Sequence, residues 1–306
     1  FIPFDYPYTP KVDPLLSLNS SLRAPEPDGF SNLIHNYDGQ STGASPPDTV
    51  GDVGPNHFVQ AVNLSGSTVR VIRKSDGVVL KTFTMQSLTT ASPCNSGIGD
   101  PIVIYDRAAD RWLISELPNS GGNVCVYVST TADPTGSYNA YRFAVGGGTI
   151  DFPKYGVWPQ NGGAGSYFFG SNSGSGGRHD VVALDRAKML QGLPATFQKF
   201  SVPDLPNSGF QLVLPSNMQG PTPPPDGEPA LFVRPYDDEA QVGASTPSTD
   251  LLNLWELRVD WATPANSSLI QIPSIAIGDY DMTLCGLGGI WNCMPQPNTS
   301  QKIDPI

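Results

Sequence analysis

The chain has 306 residues, 39% of them hydrophobic, which is enough to bury a large core and excludes a disordered polymer. Only 15% are charged, while Gly (32) and Pro (31) are abundant, so a turn-rich all-β fold is expected rather than a helical one. The net charge of −11 disfavours nucleic acid, whose phosphates require clustered Lys and Arg.

The chain opens with "FIPFDYPYTPKVDP", four prolines and four aromatics in fourteen residues, too rich in proline for a central strand. It reads as the mature N-terminus of an exported chain and as an extended arm, with residues 1–47 forming arm and lead-in. No run approaches the roughly 20 apolar residues that span a bilayer.

From Asp48 the sequence falls into sets of four short runs rich in Val, Ile, Phe, Tyr and Trp, separated by Gly, Asn, Asp or Pro. The first set reads "DTVGDVG", "HFVQAVN", "STVRVIRK" and "VVLKTFTM"; the second "DPIVIYD", "RWLISEL", "NVCVYVST" and "NAYRFAV". The third reads "DFPKYGVWP", "SYFFGSN", "HDVVALDR" and "TFQKFSV"; the fourth "FQLVLPSN", "ALFVRPYD", "LNLWELRVDW" and "SLIQIPSI". The opening residues Asp48, Asp100 and Asp151 are 52 and 51 positions apart, a period of the length that propeller blades use. The expected fold is therefore an all-β propeller of four-stranded antiparallel blades, at least four of them, over about 48–99, 100–150, 151–203 and 210–278. An incomplete blade or a closing segment follows. The final "DPI" repeats Asp100-Pro101-Ile102, so a unit is expected to begin there and continue beyond Ile306. A short helix is expected at "DRAKMLQG", a turn at Asp226 in "PPPDGEP", and a hairpin tip at "GSNSGSGGRHD".

Four cysteines lack metal-type spacing, and their positions suggest the disulfides Cys94–Cys125 and Cys285–Cys293, one of three connectivities. Sequons stand at Asn19, Asn63, Asn266 and Asn298. Together these point to a secreted or cell-surface protein, with reduced core thiols as the alternative.

The segments "PPDTVGDVGPNHFVQAVN", "GDPIVIYDRAADRWLISEL", "DPTGSY", "DFPKYGVWP" and "PQPNTSQKID" resemble large secreted proteins, mostly bacterial, that carry β-propellers of uncharacterised function. The resemblance spans Pro46 to Asp304 and implies a propeller that continues past "SQKID" into further blades. It implies no catalytic residues.

The leading candidate site is Asp48, Asp100 and Asp151, with Asp52 nearby, because first strands line a propeller's channel and would gather these carboxylates. Such oxygens suit Ca²⁺, and paired carboxylates suit glycoside hydrolysis. The commoner use of Asp at such a position is to accept backbone N–H bonds in a turn. His35, His57 and His179 sit in unlike contexts, and no G-x-S-x-G or H-E-x-x-H is present. Trp158 in "GVWPQNGG" is the best aromatic for stacking on a sugar, against the ordinary expectation that Trp112, Trp158, Trp255, Trp261 and Trp291 fill blade cores. Two functions follow. The first is a non-enzymatic structural, adhesive or filament-forming extracellular protein that contacts itself or other proteins through its arm. The second is a carbohydrate-active or glycan-binding propeller using the channel-mouth carboxylates, with Ca²⁺ as the candidate ion.

Overall fold

The computed structural model describes residues 36–148, 150–160, 165–173, 179–205, 212–220, 222–241, 247–280, 294–295, 299–300 and 302–303. The expected sites at Asn19, Cys285, Cys293 and Asn298, with His35 and Trp291, lie outside them, as do residues 1–35 of the arm and 174–178 of the hairpin tip.

Among the described residues the strands form four four-stranded antiparallel sheets and one two-stranded pair. The first sheet holds β1 (Val50–Val53), β2 (His57–Asn63), β3 (Ser67–Arg73) and β4 (Val79–Thr84). The second holds β5 (Gly97–Asp106), β6 (Arg111–Pro118), β7 (Asn123–Ser129) and β8 (Tyr138–Ala144). The third holds β9 (Ile150–Pro159), β10 (Gly165–Ser173), β11 (His179–Asp185) and β12 (Phe197–Phe200). The fourth holds β13 (Leu214–Pro215), β14 (Ala230–Tyr236), β15 (Leu251–Arg258) and β16 (Ser268–Ala276). β17 (Met294–Pro295) pairs with β18 (Lys302–Ile303). The expected helix is present as α1 (Arg186–Leu190), capped where the Asp185 side chain accepts the Lys188 N–H.

In each sheet the strands lie side by side in chain order, as antiparallel neighbours joined by short turns do. The sheets then stack face to face, also in chain order. Val59, Ala61, Val69 and Val71 of the first sheet meet Tyr105, Trp112, Ile114 and Tyr127 of the second. The opposite face of the second sheet, with Ile104, Leu113, Val124 and Val126, meets Tyr155, Val157, Tyr167 and Phe169 of the third. Phe168, Val181 and Ala183 of the third meet Phe232, Trp255 and Leu257 of the fourth. Residues of opposite parity on a strand thus enter different cores, and β6 and β7 are buried almost end to end instead of alternating.

The first strands of successive sheets also pack on one another, β1 on β5, β5 on β9, and β9 on β13. Asp52 Oδ2 accepts the Tyr105 N–H at 2.7 Å, tying β1 to β5. The Val157 carbonyl accepts the Met218 N–H at 3.0 Å, and the Val157 N–H donates to Asn217 Oδ1 at 3.1 Å, tying β9 to the fourth sheet. The Met218 N–H is thus committed to β9 and Pro215 has no N–H to offer, so β13 stops at Pro215, short of the end of "FQLVLPSN". Gly156 permits the approach, since a Cβ there would overlap the Ser216 carbonyl. No comparable packing joins the fourth sheet back to the first among the described residues.

The second and third sheets share one buried ion pair. Arg186 Nε donates to Asp106 Oδ2 at 2.6 Å and Nη2 to Oδ1 at 3.1 Å, while the Tyr167 hydroxyl donates to Oδ2 at 2.8 Å. The two charged residues are each 1% exposed. Removing one partner leaves the other charge buried and alone, so Arg186→Ala is expected to cost about 3–5 kcal/mol in a urea titration. The double change Arg186→Met with Asp106→Leu should recover most of that loss; an Arg186→Ala protein as stable as the parent would show the pair to be inert.

Candidate functional site

Three residues of the expected carboxylate set come together where the first strands converge. Asp48 (φ 42°) and Asp100 (φ 54°) both hold left-handed backbone, uncommon for residues with a side chain. Asn63, at the end of β2, clamps the pair. Its Nδ2 donates to Asp48 Oδ2 at 2.5 Å and to the Pro46 carbonyl at 3.3 Å, and its Oδ1 accepts the Asp100 N–H at 3.0 Å. Gly99 (φ 128°) makes room for that amide, because a Cβ would lie 2.5 Å from Asn63 Oδ1.

Burial, then the like charges of Asp48 and Asp151, push the Asp100 carboxyl above its usual range, while the Phe152 N–H bonded to it pulls the other way. Lys154 reaches the same place. Burial lowers its ammonium pKa, and Asp100 and Asp48 oppose that shift. Its Nζ sits 3.5 Å from the centre of the Phe152 ring, a cation–π contact. Phe152 is 38% exposed, and its backbone is left-handed with φ 51°. A bulky residue in that region is strained by about 1–3 kcal/mol, and such strain collects at functional sites. Three carboxylates, an ammonium and an exposed ring therefore lie in one small region, a set able to hydrogen-bond several hydroxyls and to stack on an apolar ring face.

The other expected residues are placed elsewhere. Asp52 is turned onto β5, as a tie between strands. Trp158 packs part-buried against the core between the third and fourth sheets, and its indole N–H donates to the Glu228 carbonyl at 3.1 Å. Trp112 and Trp255 are buried core residues. Cys94 and Cys125 are joined across a separation of 31 residues, as expected. Of the sequons, Asn63 has its amide engaged in the clamp, whereas Asn266 is exposed on the 3-10 turn Pro264–Asn266 and donates to Asp260 Oδ2 at 3.2 Å.

A second acidic group escaped the sequence reading. Asp238, Glu239, Asp250 and Asp279 each offer a carboxylate oxygen within 4.8 Å of the others. Asp250 is 1% exposed and accepts the Asp238 N–H at 3.0 Å and the Tyr280 N–H at 2.5 Å. Asp238 is pushed up to about 6, by desolvation first and then by Glu239 and Asp250. This oxygen-only donor set suits a hard cation such as Ca²⁺. Its members are 41 positions apart in the chain, from Asp238 to Asp279, so only the β14–β15–β16 register reveals them.

No protein-family model matches the sequence, and no curated protein matches it. Among solved structures, the chain is similar to the dihydro-heme d1 dehydrogenase NirN in complex with DHE, at 13% identity and a TM-score of 0.36, over 76% of this chain and 38% of that one. It is also similar to the α-L-arabinanase of Cellvibrio cellulosa, at 12% identity and a TM-score of 0.35, over 68% of this chain and 69% of that one. The chain thus spans less than half the length of the first of these. No helix among the described residues is long and apolar enough to cross a membrane.

Two outcomes test the electrostatics. Changing Asp48→Asn removes a like charge, so the Asp100 carboxyl should titrate closer to the ordinary range by carbon-13 NMR; an unmoved titration would mean that the two do not interact. Calcium at a hundredfold its Kd should stabilise the folded chain by about 2.7 kcal/mol. This is read as a Tm rise that EDTA reverses and that Asp238→Asn with Glu239→Gln removes, and a Tm indifferent to calcium rejects the cation site.

Proposed function

We propose that the chain is a secreted β-propeller module of a non-enzymatic, adhesive kind, and that it binds glycans at the mouth formed by Asp48, Asp100, Asp151, Lys154 and Phe152. The propeller reading is supported by the repeated sheet of four strands, the stacking of sheets in chain order, and the first strands gathered on one side. The export reading is supported by the Cys94–Cys125 disulfide. The observation that carries the ligand class is the exposed Phe152 ring, held out by left-handed backbone beside the carboxylates. Sugars present hydroxyls that carboxylates and amides bind, and an apolar C–H face on which an aromatic ring stacks. A net negative mouth also favours neutral polyols or cationic sugars over acidic ones.

Binding to an array of oligosaccharides tests this. The wild-type protein should retain neutral or amino-sugar glycans. Phe152→Ala should weaken the retained ligand by about 2- to 13-fold, the stacking contribution of one aromatic pair being about 0.5–1.5 kcal/mol. Asp151→Asn should weaken it further. Retention equal in wild type and both variants would remove the site. Release of reducing sugar that Asp100→Asn abolishes would move the protein to the carbohydrate-active class.

A further inference from the structure

Glu116 on β6 is 1% exposed, and Ser67, the first residue of β3, is fully buried at 0%. The Ser67 N–H donates to Glu116 Oε2 at 3.1 Å, so this side chain bridges the first two sheets. Glu116 Oε1 and Ser67 Oγ, both buried, have no hydrogen-bond partner. Backbone closes over the carboxyl from two sides. A Cβ on Gly97 would overlap Oε2, and one on Gly66 (φ 80°) would lie 3.2 Å from it.

We propose that Glu116 is a pH-sensitive latch that holds the first sheet on the second when protonated and loosens it when ionised, so regulating the mouth at Asp48 and Asp100. The path is short and covalently continuous on one side. Ser67 is the cross-strand partner of Asn63 in the β2–β3 register, and Asn63 clamps both Asp48 and Asp100. The ionised carboxylate accepts the Ser67 N–H more strongly but cannot stay dry, so parting the sheets to hydrate it draws Ser67 away and loosens the clamp. The regulatory meaning rests on the glycan-site reading above; the latch itself does not.

The surroundings supply no cation to stabilise the anion. Tyr127 on β7 faces Glu116, with its hydroxyl donated to the Cys94 carbonyl at 3.1 Å, and its own titration is pushed up by burial and then by Glu116. Cys125, the β7 partner of Glu116, is in the disulfide. Arg142 of β8, beyond Cys125, is exposed. Asp52 and Lys81, on the same face of the first sheet, are bonded at its far end to the Tyr105 N–H and the Thr135 carbonyl. Gln86, from the turn Met85–Leu88, is neutral and accepts the Gly97 N–H at 3.0 Å. Burial accordingly dominates and pushes Glu116 up to about 7, against the pull of the Ser67 N–H bond.

The sign follows from that shift. The folded value lies above the ordinary 4.5, so the folded chain holds the proton more tightly, and stability falls as pH rises from about 4.5 to about 7. The full effect on the opening equilibrium is roughly 300-fold, of which roughly 70-fold falls between pH 5 and pH 8.

Native-state amide hydrogen exchange, corrected for intrinsic rates, reads this directly. Between pH 5 and pH 8 the opening of β2 and β3 should increase roughly 70-fold in the wild-type protein, and it should be level with pH in Glu116→Gln. Carbon-13 NMR of the wild-type Glu116 carboxyl, which needs no variant, should show titration near 7. Level wild-type exchange, equal pH dependence in Glu116→Gln, or a carboxyl titrating near 4.5 would each overturn the latch. A pH-dependent opening without any glycan binding would keep the latch and remove only the ligand reading.

Discussion

Burial of the sheets' two faces is the constraint from which the other features follow. A β-sheet with one apolar face needs one cover; here the second and third sheets have two apolar faces and so need a neighbour on each side. Stacking in chain order satisfies this with short connections, and the natural twist of each sheet gathers the first strands on one side. Aromatic pairs contribute to these cores, with Tyr155 and Phe169 stacked at 5.1 Å and Phe168 and Phe232 edge to face at 5.2 Å. The Arg186–Asp106 pair adds direction to an interface whose apolar contacts alone are non-directional.

The same stacking gathers the acidic residues of the first strands. Equivalent positions of successive repeats are carried to neighbouring places, so of three acidic residues spaced by about one repeat the outer two, Asp48 and Asp151, both act as like charges on Asp100. That repulsion is held in place by polar contacts, above all the Asn63 amide, and by backbone strain at Asp48, Asp100 and Phe152. The lead-in segment braces the outer side of the first sheet. Gln40 donates to the Gln60 carbonyl at 3.0 Å, and Arg70 donates to the Gly39 carbonyl at 3.1 Å. Among the described residues the fourth sheet has no such brace on its outward face, where Leu231, Ile270 and Ile275 are 44%, 55% and 51% exposed.

Strand positions were legible because turn residues bracket each apolar run, and fifteen of the sixteen sheet strands begin within a few residues of the runs read from sequence. β13 was not, because bonds to another sheet rather than local pattern decide where it stops. The convergence of Asp48, Asp100 and Asp151 was legible through the repeat. Phe152 was hidden because the residue before a proline normally takes extended backbone, and nothing local announces the left-handed form at φ 51°. Glu116 was hidden for a related reason. In "RWLISEL" a charged residue reads as facing water, yet β6 lies in a sheet that has no face toward water there. Trp158 stands beside a loop as its position suggested, and what the sequence could not show is that its indole N–H is committed to the Glu228 carbonyl.

Asn63 belongs to a sequon, yet its amide nitrogen is bonded to Asp48 and Pro46, and its oxygen to Asp100. An oligosaccharide transferred to that nitrogen while the chain was still emerging would occupy the seat where the first two sheets lock together. The clamp and a glycan at Asn63 are therefore mutually exclusive. Asn266, standing on an exposed turn away from the clamp, can carry such a modification without disturbing the lock.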